Sequence, residues 1–141
     1  MKWVTREHAK VDRVACPWLI RKFIDREAEF LYVPTDQVLE VARREVAHSF
    51  DAEGAEYGHR EGKCTFETLM EEYRLEDPAL KRLALIVHGA DIPQDINIVP
   101  EAAGLRAVAD GVAKLCPDDH RKQEILFPVY DALYAYCQEQ Q

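Results

Sequence analysis

The first fifty residues alternate short apolar runs with amphipathic stretches. Three runs rich in β-branched and aromatic residues predict strands, at residues 3–5, 30–33 and 46–50. The stretches between them predict two helices, one over about 17–25 with Pro17 in its first turn and one over about 35–44. This alternating order predicts a small sheet whose strands are joined by right-handed crossovers.

The second half of the chain has the 3.6-residue periodicity of helices. Residues 51–63 contain three glycines and no apolar periodicity, so they predict a loop, and loops of this length are often functional. Four predicted helices follow, which begin near Thr65, at Pro78, at Pro100 and at Asp118 or Asp119. Pro128 is expected to kink or divide the last helix. The whole pattern predicts a single α+β domain over residues 1–141, with a small sheet from the N-terminal third and a predominantly helical remainder.

Length and composition restrict the class of protein. The chain has 141 residues, of which 48% are hydrophobic and 31% charged, as expected of one globular domain. No apolar run approaches the length of a membrane span, and the N-terminus lacks the apolar region of a signal peptide. We therefore expect a cytoplasmic protein without a membrane partner. The four cysteines form no CxxC pair and are expected to be reduced.

Charge is distributed unevenly along the chain. The net charge is −8, which argues against direct nucleic-acid binding. Residues 1–26, however, carry seven basic and three acidic side chains. This basic segment has two interpretations that the sequence leaves open. It holds a small anion, or it forms ordinary surface ion pairs with the acidic remainder of the chain.

Apolar and ionisable side chains share one face of the helix that is predicted to begin at Pro78. Its inward stripe is Leu80, Leu83, Ala84 and Val87. His88 and Asp91 continue this stripe, so both side chains point towards the interior. A buried carboxylate is costly unless it is paired or coordinates a metal. The pair therefore indicates either a satisfied His–Asp hydrogen bond or part of a metal site.

Other histidine and carboxylate residues lie nearby in the sequence and favour the metal site. His59, Glu67, His88 and Asp91 fall within residues 51–91, and we predict that they converge on one divalent ion. Two imidazoles with two carboxylates suit Fe²⁺, Mn²⁺ or Zn²⁺. Asp51 is a reserve ligand, or the partner that orients an imidazole.

The basic segment contains the candidate residues for anion binding. Arg13 projects near the apolar stripe of its predicted helix and is expected to face a cavity, whereas Arg21 and Lys22 are expected to face solvent. Arg6 and Arg13 are the predicted substrate-binding residues, and Arg13 and Asp51 the predicted catalytic residues. Cys16 lies on the stripe and is expected to be buried.

Several blocks of the sequence resemble the chromate-resistance protein family of the ChrB type. The longest block, VDRVACPWLIRKFID at residues 11–25, is the most specific. The shorter blocks lie at residues 3–6, 50–51, 58–60, 64–69, 87–91 and 130–134. The resemblance implies a bacterial stand-alone domain, whereas larger relatives carry an additional N-terminal region or a sulfurtransferase domain.

The resemblance also implies a link to chromate, because such domains are described as sensors or regulators of the chromate exporter. Two functions remain open. The chain is a metal-dependent redox enzyme that acts on a small anion such as chromate, or it is a non-catalytic oxyanion sensor that signals through a partner. Self-association is compatible with both.

Overall fold

The computed structural model describes residues 1–140, which form a three-stranded sheet and six α-helices. The strands are β1 (Lys2–Arg6), β2 (Glu29–Val33) and β3 (His48–Ser49). The helices are α1 (Asp12–Leu19), α2 (Val38–Glu45), α3 (Thr65–Glu72), α4 (Pro78–Asp91), α5 (Pro100–Leu115) and α6 (Asp119–Glu139). A π-helical turn, Ile20–Ile24, follows α1, and 3₁₀ turns cover Thr35–Gln37 and Pro93–Asp95. The predicted α+β class, with its sheet in the N-terminal third, is confirmed.

Strand β1 is the centre of the sheet and pairs in parallel with β2 and with β3. Successive side chains of a strand point to opposite faces, so β1 contributes to two apolar clusters. Trp3 belongs to the main core among the helices, whereas Val4 packs with Val38 and Val41 of α2. Helix α2 therefore covers one face of the sheet, and the other helices build the main core on the opposite face.

The third strand is shorter than the sequence predicts, because α2 ends in a conformation that a strand cannot continue. Val46 has a φ of 53°, in the left-handed region. The next amide, of Ala47, still donates to the Ala42 carbonyl of α2 at 2.8 Å. Regular pairing thus begins only at His48, although the Phe50 amide still donates to the Val4 carbonyl of β1 at 3.0 Å.

The first helix begins at Asp12, five residues before the predicted start, so Pro17 lies inside it and not in its first turn. A proline inside a helix leaves the carbonyl four residues earlier without its usual donor. In α1 this carbonyl belongs to Arg13, and the hydroxyl of Tyr32 in β2 donates to it at 2.8 Å. A tertiary hydrogen bond from the sheet therefore replaces the lost helical one.

Helix α4 is the central element of the helical part. The predicted stripe of Leu80, Leu83, Ala84 and Val87 is buried, and His88 continues it inside the protein. Asp91 is the last residue of the helix. The expected face is thus confirmed, and it directs His88 and Asp91 towards α1 and α3.

The last helix continues through Pro128 and is not divided there. Pro128 cannot donate to the carbonyl of Glu124. Both residues are exposed, so water can hydrate that carbonyl.

All four cysteines are free thiols, and three of them are buried. Within residues 1–140 no helix combines the length and apolarity needed to cross a bilayer.

Close packing of α4 against α5 depends on Gly89. A Cβ at this position would lie 2.6 Å from the Cβ of Ala102 and 3.0 Å from the carbonyl oxygen of Asp95. We expect Gly89→Ala to lower the free energy of unfolding by about 1–3 kcal/mol, as overpacking does, although alanine is the better helix former. Urea denaturation monitored by circular dichroism measures this change.

Gly104 of α5 provides the matched control, because a Cβ there meets no atom within 4 Å. Gly104→Ala should raise stability by about 0.5–1 kcal/mol through helix propensity alone. Stabilisation by both substitutions would show that the α4–α5 contact is looser than described.

Candidate metal centre

Asp51, the first acidic side chain of the site, lies at the edge of the sheet where β1 and β3 end. The Thr5 hydroxyl donates to the Phe50 carbonyl at 2.6 Å, and the Arg6 Nε donates to the Asp51 carbonyl at 2.8 Å. Asp51 has a φ of 49°, a conformation that aspartate tolerates better than most residues. These restraints direct its side chain inward, and Asp51 is only 4% exposed.

Asp12 supplies a second buried carboxylate and joins two helices. Its Oδ2 accepts the amide of Thr65 at 2.7 Å, and its Oδ1 accepts the amide of Phe66 at 3.2 Å. These amides lie in the first turn of α3, where backbone donors have no partner within the helix. The carboxylate at the start of α1 therefore caps α3, at a position 2% exposed.

His59 brings these carboxylates together with Asp91. Its Nε2 lies 3.3 Å from Asp51 Oδ1, 3.3 Å from Asp91 Oδ2 and 3.5 Å from Asp12 Oδ2. The ring is half-exposed, on the glycine-containing loop that the sequence analysis singled out. We call Asp12, Asp51, His59 and Asp91 the carboxylate centre.

The three distances from His59 Nε2 match the spacing of two ligand atoms bound to one ion. Charge-assisted hydrogen bonds are usually about 2.7–2.9 Å long, shorter than the three His59 distances. Two ligand atoms bound at ~2.0–2.2 Å to one ion, at tetrahedral or octahedral angles, lie about 3–3.5 Å apart. The ligand atoms of Asp12, His59 and Asp91 all lie within 4.8 Å of one another.

Electrostatics in the carboxylate centre reflect an excess of negative charge. The carboxylates of Asp12 and Asp51 beside its Nε2 raise the pKa of His59 to about 10. Burial, followed by repulsion from Asp12 and Asp51, raises the pKa of Asp91 to about 7. Burial opposes ionisation of Asp51, but the contact with His59, the hydrogen bond from Thr65 and the charges of two arginines outweigh it and lower its pKa to about 2. A divalent cation is the charge that this group of side chains would accommodate.

The other two predicted ligands, Glu67 and His88, lie together in a neighbouring cluster. His88 Nδ1 is 2.5 Å from Glu67 Oε1, and His88 Nε2 is 2.6 Å from Asp95 Oδ2. Glu67 Oε1 also accepts the amide of Cys64 at 3.0 Å. Among residues 1–140 the four predicted ligands therefore form two pairs, His59 with Asp91 and Glu67 with His88, and not one group.

The two clusters meet at the start of α3. Asp12 binds the amides of Thr65 and Phe66, and Glu67 binds the amide of Cys64 immediately before them. Sequence reasoning missed Asp12 and Asp95. Asp12 lies four residues before Cys16, so extending the apolar stripe of α1 towards its N-terminus would have revealed it. Asp95 lies in a 3₁₀ turn without a periodic pattern, so no comparable signal marks it.

The two predicted anion-binding arginines both reach Asp51. Arg6 Nη2 and Arg13 Nη1 lie 3.4 Å and 3.3 Å from the same oxygen, Asp51 Oδ2. Arg13 lines a cavity of about 220 Å³ with Asp12 and Asp91, whereas Arg6 lines another, of about 330 Å³, with His59. The arginines therefore lie on different sides of Asp51, which they hold in place.

The expected orientations of the next two basic residues are also observed. Arg21 and Lys22 are exposed. Lys22 Nζ pairs with Asp131 at 2.8 Å, and Arg21 donates to the Ala28 carbonyl at 2.8 Å. Lys22 follows the surface ion-pair interpretation, and Arg21 binds a backbone carbonyl. Arg6 and Arg13, by contrast, line cavities beside the carboxylate centre.

The His88 cluster predicts a pH-dependent contribution to stability. Burial opposes protonation of His88, but the hydrogen bonds with Glu67 and Asp95 outweigh it and raise the pKa. A histidine whose pKa is raised on folding stabilises the folded state fully at pH values below its unfolded-state pKa of about 6.5. This stabilisation is lost as the pH rises through the folded-state pKa. His88→Gln should therefore cost about 2 kcal/mol at pH 6, as hydrogen bonds to a charged group do, and less at pH 9.

Urea denaturation at both pH values measures this difference, and His120→Gln is the matched control because His120 is exposed on α6. The control should change stability little at either pH. An equal cost of His88→Gln at pH 6 and pH 9 would contradict a charged imidazole between two carboxylates.

Comparison with known proteins places these features in a family context. Residues 3–137 match the sequence profile described as ChrB, C-terminal domain. The curated Protein ChrB of Cupriavidus metallidurans (strain ATCC 43123 / DSM 2839 / NBRC 102507 / CH34) is 38% identical over 138 residues. The match covers 96% of this chain and 40% of that protein, so the chain spans about two fifths of the relative's length. No solved structure matches.

Proposed function

The chain belongs to the ChrB family, matching the C-terminal domain of those proteins, and from this membership and its carboxylate centre we propose that it is a metal-binding domain of chromate resistance. One divalent transition-metal ion binds at the carboxylate centre, beside a small anionic substrate. The observation that carries this proposal is the meeting of three carboxylates at 3.3–3.5 Å from one imidazole nitrogen.

The ligands of the proposed ion are Asp12, His59 and Asp91, with Asp51 Oδ1 as the fourth. Three carboxylates and one imidazole form a harder donor set than the two imidazoles and two carboxylates expected from the sequence. Such a set suits Mn²⁺ or Fe²⁺, and Zn²⁺ also binds these donor types. Arg6 and Arg13 hold the other oxygen of Asp51 and thereby fix the direction of Oδ1.

The neighbouring cluster supports the ion indirectly. Both nitrogens of His88 already face carboxylates, so neither is free to bind a metal. Burial and nearby negative charge raise the pKa of the Cys64 thiol far above its usual range, which keeps it protonated and a poor ligand. Glu67 and His88 are therefore positioning residues, which fix α3 against α4 and so place Asp91, three residues after His88.

Access from solvent favours a functional ion over a purely structural one. His59 is 49% exposed, and Asp51, Asp91 or both line each of three surrounding cavities. When bound, the ion supplies redox or Lewis-acid chemistry to a substrate in such a cavity. Arg13 then acts by holding Asp51 and by presenting positive charge to an anion.

The alternative is a non-catalytic sensor, in which the ion and a bound oxyanion regulate a chromate exporter through a partner. This alternative is motivated by the greater length of the ChrB relative, because most of that protein lies outside the matched region and leaves room for a part that receives a signal. Incubation of the metal-loaded chain with chromate and a reductant separates the two functions. Multiple turnovers per protein indicate an enzyme, and binding without turnover indicates a sensor.

Titration with Mn²⁺ and Zn²⁺ after purification without chelator tests the metal site. We expect one ion per chain and a rise in unfolding temperature, because an ion that binds only the folded state stabilises it. His59→Ala should weaken binding by about tenfold or more, since the side chain is half-exposed and its removal spares the core.

His120→Ala is the matched control, an exposed histidine on α6 outside both clusters. It should leave the affinity and stoichiometry unchanged. The proposed site is wrong if the wild-type chain binds no ion, or if His59→Ala and His120→Ala bind it as well as the wild type does.

A further inference from the structure

The cavity of about 220 Å³ beside the carboxylate centre has walls of opposite charge. Asp12, Asp51 and Asp91 form its inner wall. Lys10, Arg13 and Arg106 line it as well, and we call these three residues the basic rim. Lys10 and Arg106 come from the loop after β1 and from α5, and neither was a candidate in the sequence analysis.

Arg106 is held in place and keeps donors available. Its Nε donates to Asp110 Oδ2 at 3.0 Å, and its Nη1 donates to the Ala90 carbonyl at 3.2 Å. A guanidinium group has five N–H donors, so these bonds leave three for a ligand. Because Ala90 immediately precedes Asp91, the same contact fixes the guanidinium beside the carboxylate centre.

Arg13 also has an unused donor. Its Nη1 and Nη2 contact Asp51 and the His8 carbonyl. Its Nε is buried and has no hydrogen-bond partner within the part of the chain that the structure describes. Lys10, by contrast, is exposed and reaches Asp110 only at 3.7 Å. The basic rim therefore combines two positioned guanidinium groups with one exposed ammonium group.

The other two cavities beside the carboxylate centre are lined by fewer lysine and arginine side chains. In the cavity that Arg6 lines, Arg60 is paired with Glu72 and also donates to the Glu56 carbonyl. The third cavity, which His59, Asp91 and Asp95 line, contains one lysine, Lys63, and this lysine is paired with Glu71. The cavity of about 220 Å³ is thus the one of the three with the most basic side chains, and Arg13 and Arg106 keep unused donors there.

We propose that a small oxyanion carrying two negative charges binds in this cavity, between the metal ion of the carboxylate centre and the basic rim. This inference rests on the proposed function, because without the ion the inner wall of three carboxylates repels an anion. The volume corresponds to about seven water molecules, which accommodates a four-oxygen anion. Binding of the oxyanion therefore depends on the metal.

Sulfate is the probe, because it is a tetrahedral dianion that cannot oxidise the protein. Calorimetric titration of sulfate into the Mn²⁺-loaded chain should show one site, and titration into the metal-free chain should show binding at least about tenfold weaker. Arg106→Gln should weaken sulfate binding to the chain by about tenfold or more when it is compared with the wild type at full Mn²⁺ loading. Perchlorate, a tetrahedral anion with one charge, should bind more weakly than sulfate.

Arg121→Gln is the matched control, since Arg121 is an exposed arginine paired with Glu124 on α6. It should leave sulfate binding unchanged. Equal sulfate affinity in the Arg106→Gln and Arg121→Gln variants would overturn the role of the basic rim. Equal affinity with and without Mn²⁺ would overturn the metal dependence. The Mn²⁺ titration is a separate measurement, so failure of the proposed metal site is distinguished from failure of the anion site.

Discussion

The carboxylate of Asp12 is the interaction on which the functional part of the structure depends. It is buried at the start of α1, and it caps α3 by accepting the amides of Thr65 and Phe66. These bonds replace the helical partners that the first turn of α3 lacks, and they hold α3 where Glu67 reaches His88 of α4. One side chain therefore fixes the relative positions of three helices around the site.

Burial of Asp12 has an electrostatic consequence for its neighbours. The backbone amides of α3 stabilise its negative charge only in part, because burial and Asp51 still raise its pKa above the ordinary value. Asp51 is balanced by Arg6 and Arg13, whereas Asp91 reaches an opposite charge through His59. A divalent cation would relieve this imbalance, and the basic rim would then face a site that accepts an anion. In the proposed site, fold stability and ion binding would thus depend on the same carboxylates.

Sequence periodicity predicted most of the fold, because amphipathic patterns report which face of an element is buried. The stripe of α4 correctly placed His88 inside and Asp91 after it. The start of α1 was misplaced because Pro17 is compensated by the Tyr32 hydroxyl, a tertiary contact that no local pattern reveals. The grouping of ligands failed to follow sequence proximity for the same reason. His59 lies on a loop whose position is set by long-range contacts. No sequence spacing predicts that its imidazole lies 3.3–3.5 Å from the carboxylates of Asp12 and Asp51.

X-ray absorption spectroscopy of the zinc-loaded chain tests the central claim most directly, because it identifies the atoms bound to the ion. The carboxylate centre predicts a first shell of oxygen and nitrogen only, at ~2.0–2.2 Å, with the outer-shell scattering of one imidazole. That imidazole signal should disappear in His59→Ala and persist in His88→Gln. A sulfur neighbour at about 2.3 Å would place the ion at Cys64, beside Glu67 and His88, and would contradict the account.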